Sequence, residues 1–87
     1  MQYPRPSPTP EAILNLLAEI TENDDVRVNG ELPMYERQIV DSMRTVELMV
    51  AISRDLGIEI SPAEFDREAW ATPAKFVADI ISRSAVR

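Results

Sequence analysis

Ser42, in the junction Val40-Asp41-Ser42-Met43, is the residue whose type and position best suit covalent chemistry in this sequence. Asp41 directly precedes a helical pattern, so its carboxylate can accept free amides of the first helical turn, in which Ser42 lies. Because a helix start favours negative groups, a hydroxyl that projects from it could carry a phosphodiester attached by another enzyme. An ordinary structural role for Ser42 stays open on these local grounds, since serine is common at helix starts.

Other residues offer little to a catalyst or a metal site. The sequence has no histidine and no cysteine, which excludes a Ser-His triad, a thiolate nucleophile and a zinc knuckle. No spacing pairs two carboxylates in an apolar setting, and Lys75 lies among polar neighbours. Residues 25–36 have the length of an EF-hand calcium loop, but Arg27 stands where an oxygen ligand is required. We therefore predict no catalytic residue and no metal ligand.

Helical patterns on both sides of the junction must position Ser42. The predicted helical segments are residues 10–22, 41–57, 62–70 and 73–83. Thr9-Pro10 and Thr72-Pro73 each combine an N-cap residue with proline at the first helical position. Gly57 ends the second helix, where a left-handed residue is favoured. The segment 62–70 has room only for one or two short turns before the last helix.

The long connection over residues 23–40 is predicted to lack regular structure and to pack on the core. Its apolar side chains support the packing: Leu32, Met34, Tyr35, Ile39 and Val40. In the second helix the apolar pattern includes Met43, Val46, Met49, Val50 and Ile52. We interpret Val46 and Val50 as core residues.

This pattern predicts an all-α fold, a small up-and-down bundle of three main helices and one short helix, with no strand. The chain has 87 residues, enough for one domain, which we place at residues 9–87. Residues 1–8 contain three of the four prolines found in the first ten residues, and we expect them to form a flexible tail.

The charge of the chain limits its partners. A net charge of −6 and a pI of about 4.5 disfavour binding to nucleic acid or to anionic membrane surfaces. No apolar run approaches the roughly 20 residues of a membrane span, and the N-terminus lacks the plan of a signal peptide. We expect a cytoplasmic protein without membrane insertion. An acidic bundle with no evident exposed apolar stripe is also predicted to be a monomer.

Asp41-Ser42-Met43, at the start of the second helix of a small acidic bundle, resembles the attachment site of acyl and peptidyl carrier proteins. Further elements follow in the order found in discrete D-alanyl carrier proteins, the closest subgroup. These elements are Thr45-Val46-Glu47-Leu48, Leu56-Gly57-Ile58-Glu59-Ile60, Glu64-Phe65-Asp66-Arg67-Glu68-Ala69-Trp70, Thr72-Pro73 and Lys75. The resemblance covers about residues 38–82, roughly half of the chain.

The resemblance implies that the protein is a carrier and not an enzyme. Ser42 would receive a 4′-phosphopantetheine arm from coenzyme A through a phosphopantetheinyl transferase, and Asp41 would belong to the same helix-start motif. An amino-acid adenylating ligase would load an amino acid onto the thiol of the arm as a thioester, and a downstream acyltransferase would remove it. Met43, Arg44 and Glu47 are candidate contacts for these partners, because they belong to the second helix, which begins at the attachment site.

Two departures from the family pattern bear on the pathway. The second helix has three acidic and two basic residues, a local charge of only −1, and Arg44 stands where a small residue is expected. The low charge departs from the strongly acidic second helix of fatty-acid carriers, and Arg44 predicts a partner set different from that of the usual D-alanyl carriers. Eight arginines against one lysine favour a GC-rich genome, whereas teichoic-acid D-alanylation is commoner in low-GC bacteria.

We therefore expect an aminoacyl carrier in polyketide or nonribosomal-peptide biosynthesis. A D-alanyl carrier for teichoic acids is the close alternative. A fatty-acyl carrier is the third alternative. From another class, an unmodified acidic helical adaptor also stays open.

Overall fold

The computed structural model describes residues 8–85, and this part of the chain is helical without any strand. Its α-helices are α1 (Pro10–Thr21), α2 (Asp25–Val28), α3 (Ser42–Leu56) and α4 (Pro73–Ala85). Two 3₁₀ helices, Pro62–Glu64 and Arg67–Trp70, connect α3 to α4. The predicted all-α bundle with three main helices is confirmed. The predicted tail at residues 1–8 lies outside the described residues except for Pro8, as do residues 86–87.

Cap residues set the ends of the three main helices. The side chains of Thr9, Asp41 and Thr72 each accept the backbone N–H three residues further on, at 3.1, 2.9 and 3.2 Å. Gly57 ends α3 in the left-handed conformation, with φ of 70°. These bonds satisfy amides that have no partner inside the helix, so the helix starts agree with the sequence prediction. The last helix runs two residues beyond the predicted end, to Ala85.

The connection between α1 and α3 contains a helical turn that the sequence pattern did not reveal. The prediction of no regular structure over residues 23–40 is wrong at Asp25–Val28, which form α2. Asn23 Oδ1 accepts the N–H of Asp25 at 2.8 Å, and Val26 is buried against the core. A four-residue helix is too short to show an apolar period, so the pattern could not predict it.

A single core lies between the main helices and the connecting segments. Helix α1 packs against α2, α3 and α4, and the second 3₁₀ helix packs against α4. The largest fully buried side chains include Ile13, Leu17, Met34, Leu48, Ile52, Trp70, Phe76 and Ile80. As predicted, the long connection packs down, with Leu32, Met34 and Val40 buried. None of the helices within residues 8–85 combines the length and the apolar character needed to cross a bilayer.

Helix α3 exposes an apolar stripe. Met43, Val46 and Val50 are 71%, 59% and 57% exposed. The core-facing side chains of this helix are Thr45, Leu48, Ala51 and Ile52. The interpretation of Val46 and Val50 as core residues is therefore wrong. The prediction of a monomer relied on the absence of an exposed apolar stripe, and that argument no longer holds. The monomeric state stays a prediction.

Candidate functional site

Ser42 is the first residue of α3, and its side chain is exposed to solvent. Asp41 performs the capping role, because its Oδ1 accepts the N–H of Arg44 at 2.9 Å. The serine hydroxyl is thus not needed to cap the helix. It stands at the positive end of the helix dipole, where a negative group is stabilised.

The segment before α3 fixes the position of Ser42. The carbonyl of Met34 accepts the N–H groups of Ile39 and Val40 at 2.8 and 3.2 Å, which closes a compact turn. The N–H of Met34 donates to the carbonyl of Ala71 at 2.9 Å and so ties this turn to the segment before α4. Val40 is buried two residues before Ser42. The chain therefore enters α3 from an anchored position.

Tyr35 contacts the first turn of α3 through Thr45. Its hydroxyl lies 3.5 Å from Thr45 Oγ1, at the long limit of a hydrogen bond. The Thr45 hydroxyl in turn donates to the carbonyl of Asp41 at 2.8 Å. This chain of contacts joins the long connection to the turn that presents Ser42.

An open groove of about 710 Å³ lies beside Ser42. Its lining residues are Tyr35, Gln38, Val40, Asp41, Ser42, Thr45, Phe65 and Arg67. Of these, the sequence analysis selected only Asp41 and Ser42 as site residues. Gln38, Val40 and Thr45 lie within four residues of Ser42 but carry no site motif, and Tyr35, Phe65 and Arg67 lie 7 to 25 residues away along the chain. For Phe65 and Arg67 the only signal was their place in the elements that resemble D-alanyl carriers.

An aromatic cluster supports the wall of this groove. The rings of Phe65 and Trp70 meet edge to face with their centroids 4.9 Å apart, and Trp70 meets Phe76 in the same way at 4.8 Å. Trp70 and Phe76 are fully buried, so Phe65 rests on the core of the bundle. Such edge-to-face pairs stabilise a fixed ring arrangement.

Met43, Arg44 and Glu47 differ in how available they are to a partner. Met43 is exposed, whereas the guanidinium of Arg44 donates to the carbonyl of Ile20 at the end of α1. Arg44 also lies 3.7 Å from the carboxylate of Glu47 and 3.8 Å from that of Glu22. The Arg44 side chain thus connects α1 to α3. A contact of any of these residues with a partner enzyme stays a prediction.

An ion pair lies next to the groove residue Arg67. Lys75 Nζ is 2.6 Å from Glu68 Oε2. This hydrogen bond, with the Coulomb attraction that accompanies it, lowers the pKa of Glu68 and raises the pKa of Lys75. Both side chains are exposed, so the pair contributes little to stability.

Comparison with known families identifies the family of the chain. A family model described as "Phosphopantetheine attachment site" matches residues 11–80. The chain belongs to this family. It is a carrier protein, and its cofactor is a covalently attached 4′-phosphopantetheine. The match covers α1 and α3 and most of α4, which extends the relationship well beyond the part that resembles D-alanyl carriers.

The residues beside the groove fit a phosphopantetheine group. An exposed hydroxyl at a helix start can form the ester, and the first turn of α3 favours the charge of a phosphodiester. The groove offers apolar surface from Phe65 and Val40 and polar groups from Gln38 and Thr45. Pantetheine has both apolar and amide groups, so this mixture of linings is compatible with it.

Proposed function

We propose that Ser42 is the residue that carries the phosphopantetheine arm and that the chain is an aminoacyl carrier of the peptidyl type. The observation that supports this assignment is the exposed Ser42 side chain at the first position of α3, next to Asp41, which caps the helix in its place. When attached, the arm supplies a thiol that holds an amino acid as a thioester. The protein residues supply the attachment point and the surface that partner enzymes contact.

The local geometry suits modification by a phosphopantetheinyl transferase. Ser42 lies on the surface, so an enzyme can reach the hydroxyl without unfolding the bundle. Val40 and the turn at Met34 hold the helix start in place, which presents the hydroxyl in a defined direction. A pre-organised attachment point reduces the entropy lost on binding.

We propose that the exposed face of α3 contacts the partner enzymes, namely the transferase, an amino-acid adenylating ligase and a downstream acyltransferase. This face includes Met43, Val46 and Val50, with Glu47 beside them. Apolar side chains at the centre of a contact surface with charged groups at its edge are typical of protein interfaces. Arg44 would act here through its contacts with α1 as well as through its charge.

The cargo is proposed to be an amino acid for polyketide or nonribosomal-peptide biosynthesis. Teichoic-acid D-alanylation is the second candidate, since Phe65 and Trp70, both in elements shared with D-alanyl carriers, support the wall of the groove. The unmodified adaptor is disfavoured by the family match. Loading assays with the adenylating enzyme and a panel of amino acids would distinguish the two pathways, because exclusive use of D-alanine would support the second.

Intact mass spectrometry after incubation with coenzyme A and a promiscuous phosphopantetheinyl transferase tests the assignment of Ser42. We expect one phosphopantetheine adduct on the wild type and on Ser61→Ala, and none on Ser42→Ala. Ser61 is a matched control, since it is also exposed and also stands at the start of a helical segment. An adduct on Ser42→Ala, or an unmodified wild type beside an active control carrier, would refute the proposal.

A further inference from the structure

Arg67 borders the groove beside Ser42 and is held in a defined position there. Its guanidinium carbon lies 4.2 Å from the centroid of the Tyr35 ring, a cation–π contact. Tyr35 is itself half-buried and lies against Thr45. The Arg67 guanidinium thus lies against the ring of Tyr35, although the Arg67 side chain is exposed to solvent.

Arg67 differs from most basic residues of the described chain. Five of the seven basic side chains in residues 8–85 have a carboxylate oxygen within 4.0 Å: Arg27, Arg44, Arg54, Lys75 and Arg83. Within the same residues, Arg67 and Arg37 have no such partner. Of these two, only Arg67 lines the groove that also contains Ser42.

Three acidic groups near Arg67, those of Glu68, Asp66 and Asp41, have other hydrogen-bond partners. Glu68 pairs with Lys75, and Asp66 Oδ1 accepts the N–H of Glu68 at 3.0 Å. Asp41 Oδ1 accepts the N–H of Arg44. Glu36 and Glu68 share a second, smaller groove with Arg67, but neither carboxylate comes within 4.0 Å of its guanidinium. The groove side of Arg67 can therefore accept an anion.

We propose that Arg67 binds the phosphodiester of the arm and so holds the base of the arm in the groove beside Ser42. This inference rests on the proposed attachment at Ser42. Charge complementarity selects the phosphodiester, since a guanidinium matches the paired oxygens of a phosphate group. The dipole of α3 favours the same negative group. Tyr35 positions the guanidinium and does not itself bind the anion.

The test compares apo and cargo-free holo protein by ¹H–¹⁵N NMR spectra that include the arginine Nε–H groups. The phosphodiester is the only anionic group that the cargo-free arm adds, so a salt-dependent change at Arg67 is attributable to it. We expect conversion to the holo form to shift the Arg67 Nε–H signal and the backbone amides of Tyr35 and Phe65. The shift at Arg67 should shrink between 0.1 and 1 M salt, as the Debye length falls from about 10 Å to about 3 Å.

Arg67→Gln and Arg37→Gln are matched variants, because both remove one arginine that has no carboxylate partner in residues 8–85. In Arg67→Gln, the apo-to-holo shifts at Tyr35 and Phe65 should be lost. In Arg37→Gln they should persist, and in Arg67→Lys they should persist in part. Intact mass confirms the arm in every sample.

Three outcomes would overturn the inference, and they are distinguishable. Holo protein whose shifts are confined to the immediate neighbours of Ser42 would show that Arg67 does not bind the phosphodiester, while attachment at Ser42 would stand. Arm attachment that survives in Ser42→Ala would refute the attachment site and this inference together. Equal loss of the shifts in Arg67→Gln and Arg37→Gln would show that only the net charge of the protein matters, and this result would also overturn the inference.

Discussion

Ser42 and Ser61 are both exposed, and both stand at the start of a helical segment, yet their surroundings differ in charge. The Ser61 hydroxyl lies 3.3 Å from the carboxylate of Glu64, which would repel a phosphodiester. Ser42 instead opens onto a groove that Arg67 borders. A helix start alone therefore does not define an attachment residue. We therefore expect the positive charge of Arg67, together with the helix start, to favour Ser42 over Ser61 as the attachment residue.

Asp79 is a residue on which the core depends, although it has no place in the proposed function. Its Oδ2 accepts the indole N–H of buried Trp70 at 2.9 Å and pairs with Arg83 Nε at 2.9 Å. Replacement by alanine would leave the indole N–H without its acceptor. We expect Asp79→Ala to lower the free energy of unfolding by about 1–3 kcal/mol. Urea denaturation followed by the fluorescence of Trp70, the single tryptophan, measures it.

Asp79→Asn is the control for this prediction, because the amide oxygen can still accept from the indole N–H. The asparagine variant should lose less stability than the alanine variant. Equal stability of wild type and Asp79→Ala would contradict the role assigned to the Asp79 side chain.

At the scale of the element, α3 presents two stripes with the same spacing, an apolar one that is exposed and a second one, including the polar Thr45, that is buried. Met43, Val46 and Val50 follow one another at three and four residues, and so do Thr45, Leu48 and Ile52. With 3.6 residues per turn, these sets lie on nearly opposite faces of the helix. Local spacing cannot tell which stripe faces the core. The packing of α1 against α3 selects the second stripe, a contact that the sequence does not reveal.

The exposed stripe of α3 should matter little for stability. We expect Val46→Ser and Val50→Ser to change the free energy of unfolding by no more than about 0.5 kcal/mol, as is usual for exposed positions. The comparison variant is Leu48→Ala, which should cost about 2–5 kcal/mol because Leu48 is fully buried. Chemical denaturation of the three variants checks this order. A large loss for either valine variant would place that side chain in the core.

The helix starts could be predicted from the sequence because each depends on neighbours in the chain. Thr9, Asp41 and Thr72 cap amides only three residues away, and Gly57 needs only its own conformational freedom. The groove could not be predicted in this way. Its lining combines Tyr35 of the long connection with Phe65 and Arg67, and the N–H of Met34 bonds to the carbonyl of Ala71 across 37 residues of chain.

At the scale of the molecule, the bundle brings the long connection, the start of α3 and the segment that contains Phe65 and Arg67 to one groove. Two backbone bonds hold the long connection to the C-terminal part: Met34 N–H to the Ala71 carbonyl, and Ala74 N–H to the Gly30 carbonyl at 3.0 Å. Ala71 lies two residues before α4, and Ala74 lies in the first turn of α4. Packing of α4 is thus coupled to the shape of the groove, although α4 lines none of it.

Whole-molecule stability should depend weakly on pH near neutrality, because the sequence has no histidine or cysteine side chain. At acidic pH the stability depends in part on the protonation of the Glu68 carboxylate. Lys75 holds the pKa of Glu68 below its ordinary value of 4.5, so the ion pair stabilises the fold above that pH and is lost as the pH falls through the lowered pKa. Urea denaturation from pH 3 to 8 should therefore show a plateau between pH 6 and 8. The free energy of unfolding of Glu68→Gln should be slightly below that of the wild type on that plateau, and the two values should converge in acid. A stability transition between pH 6 and 8 shared by both proteins would contradict the plateau, and a difference that grows in acid would contradict the sign.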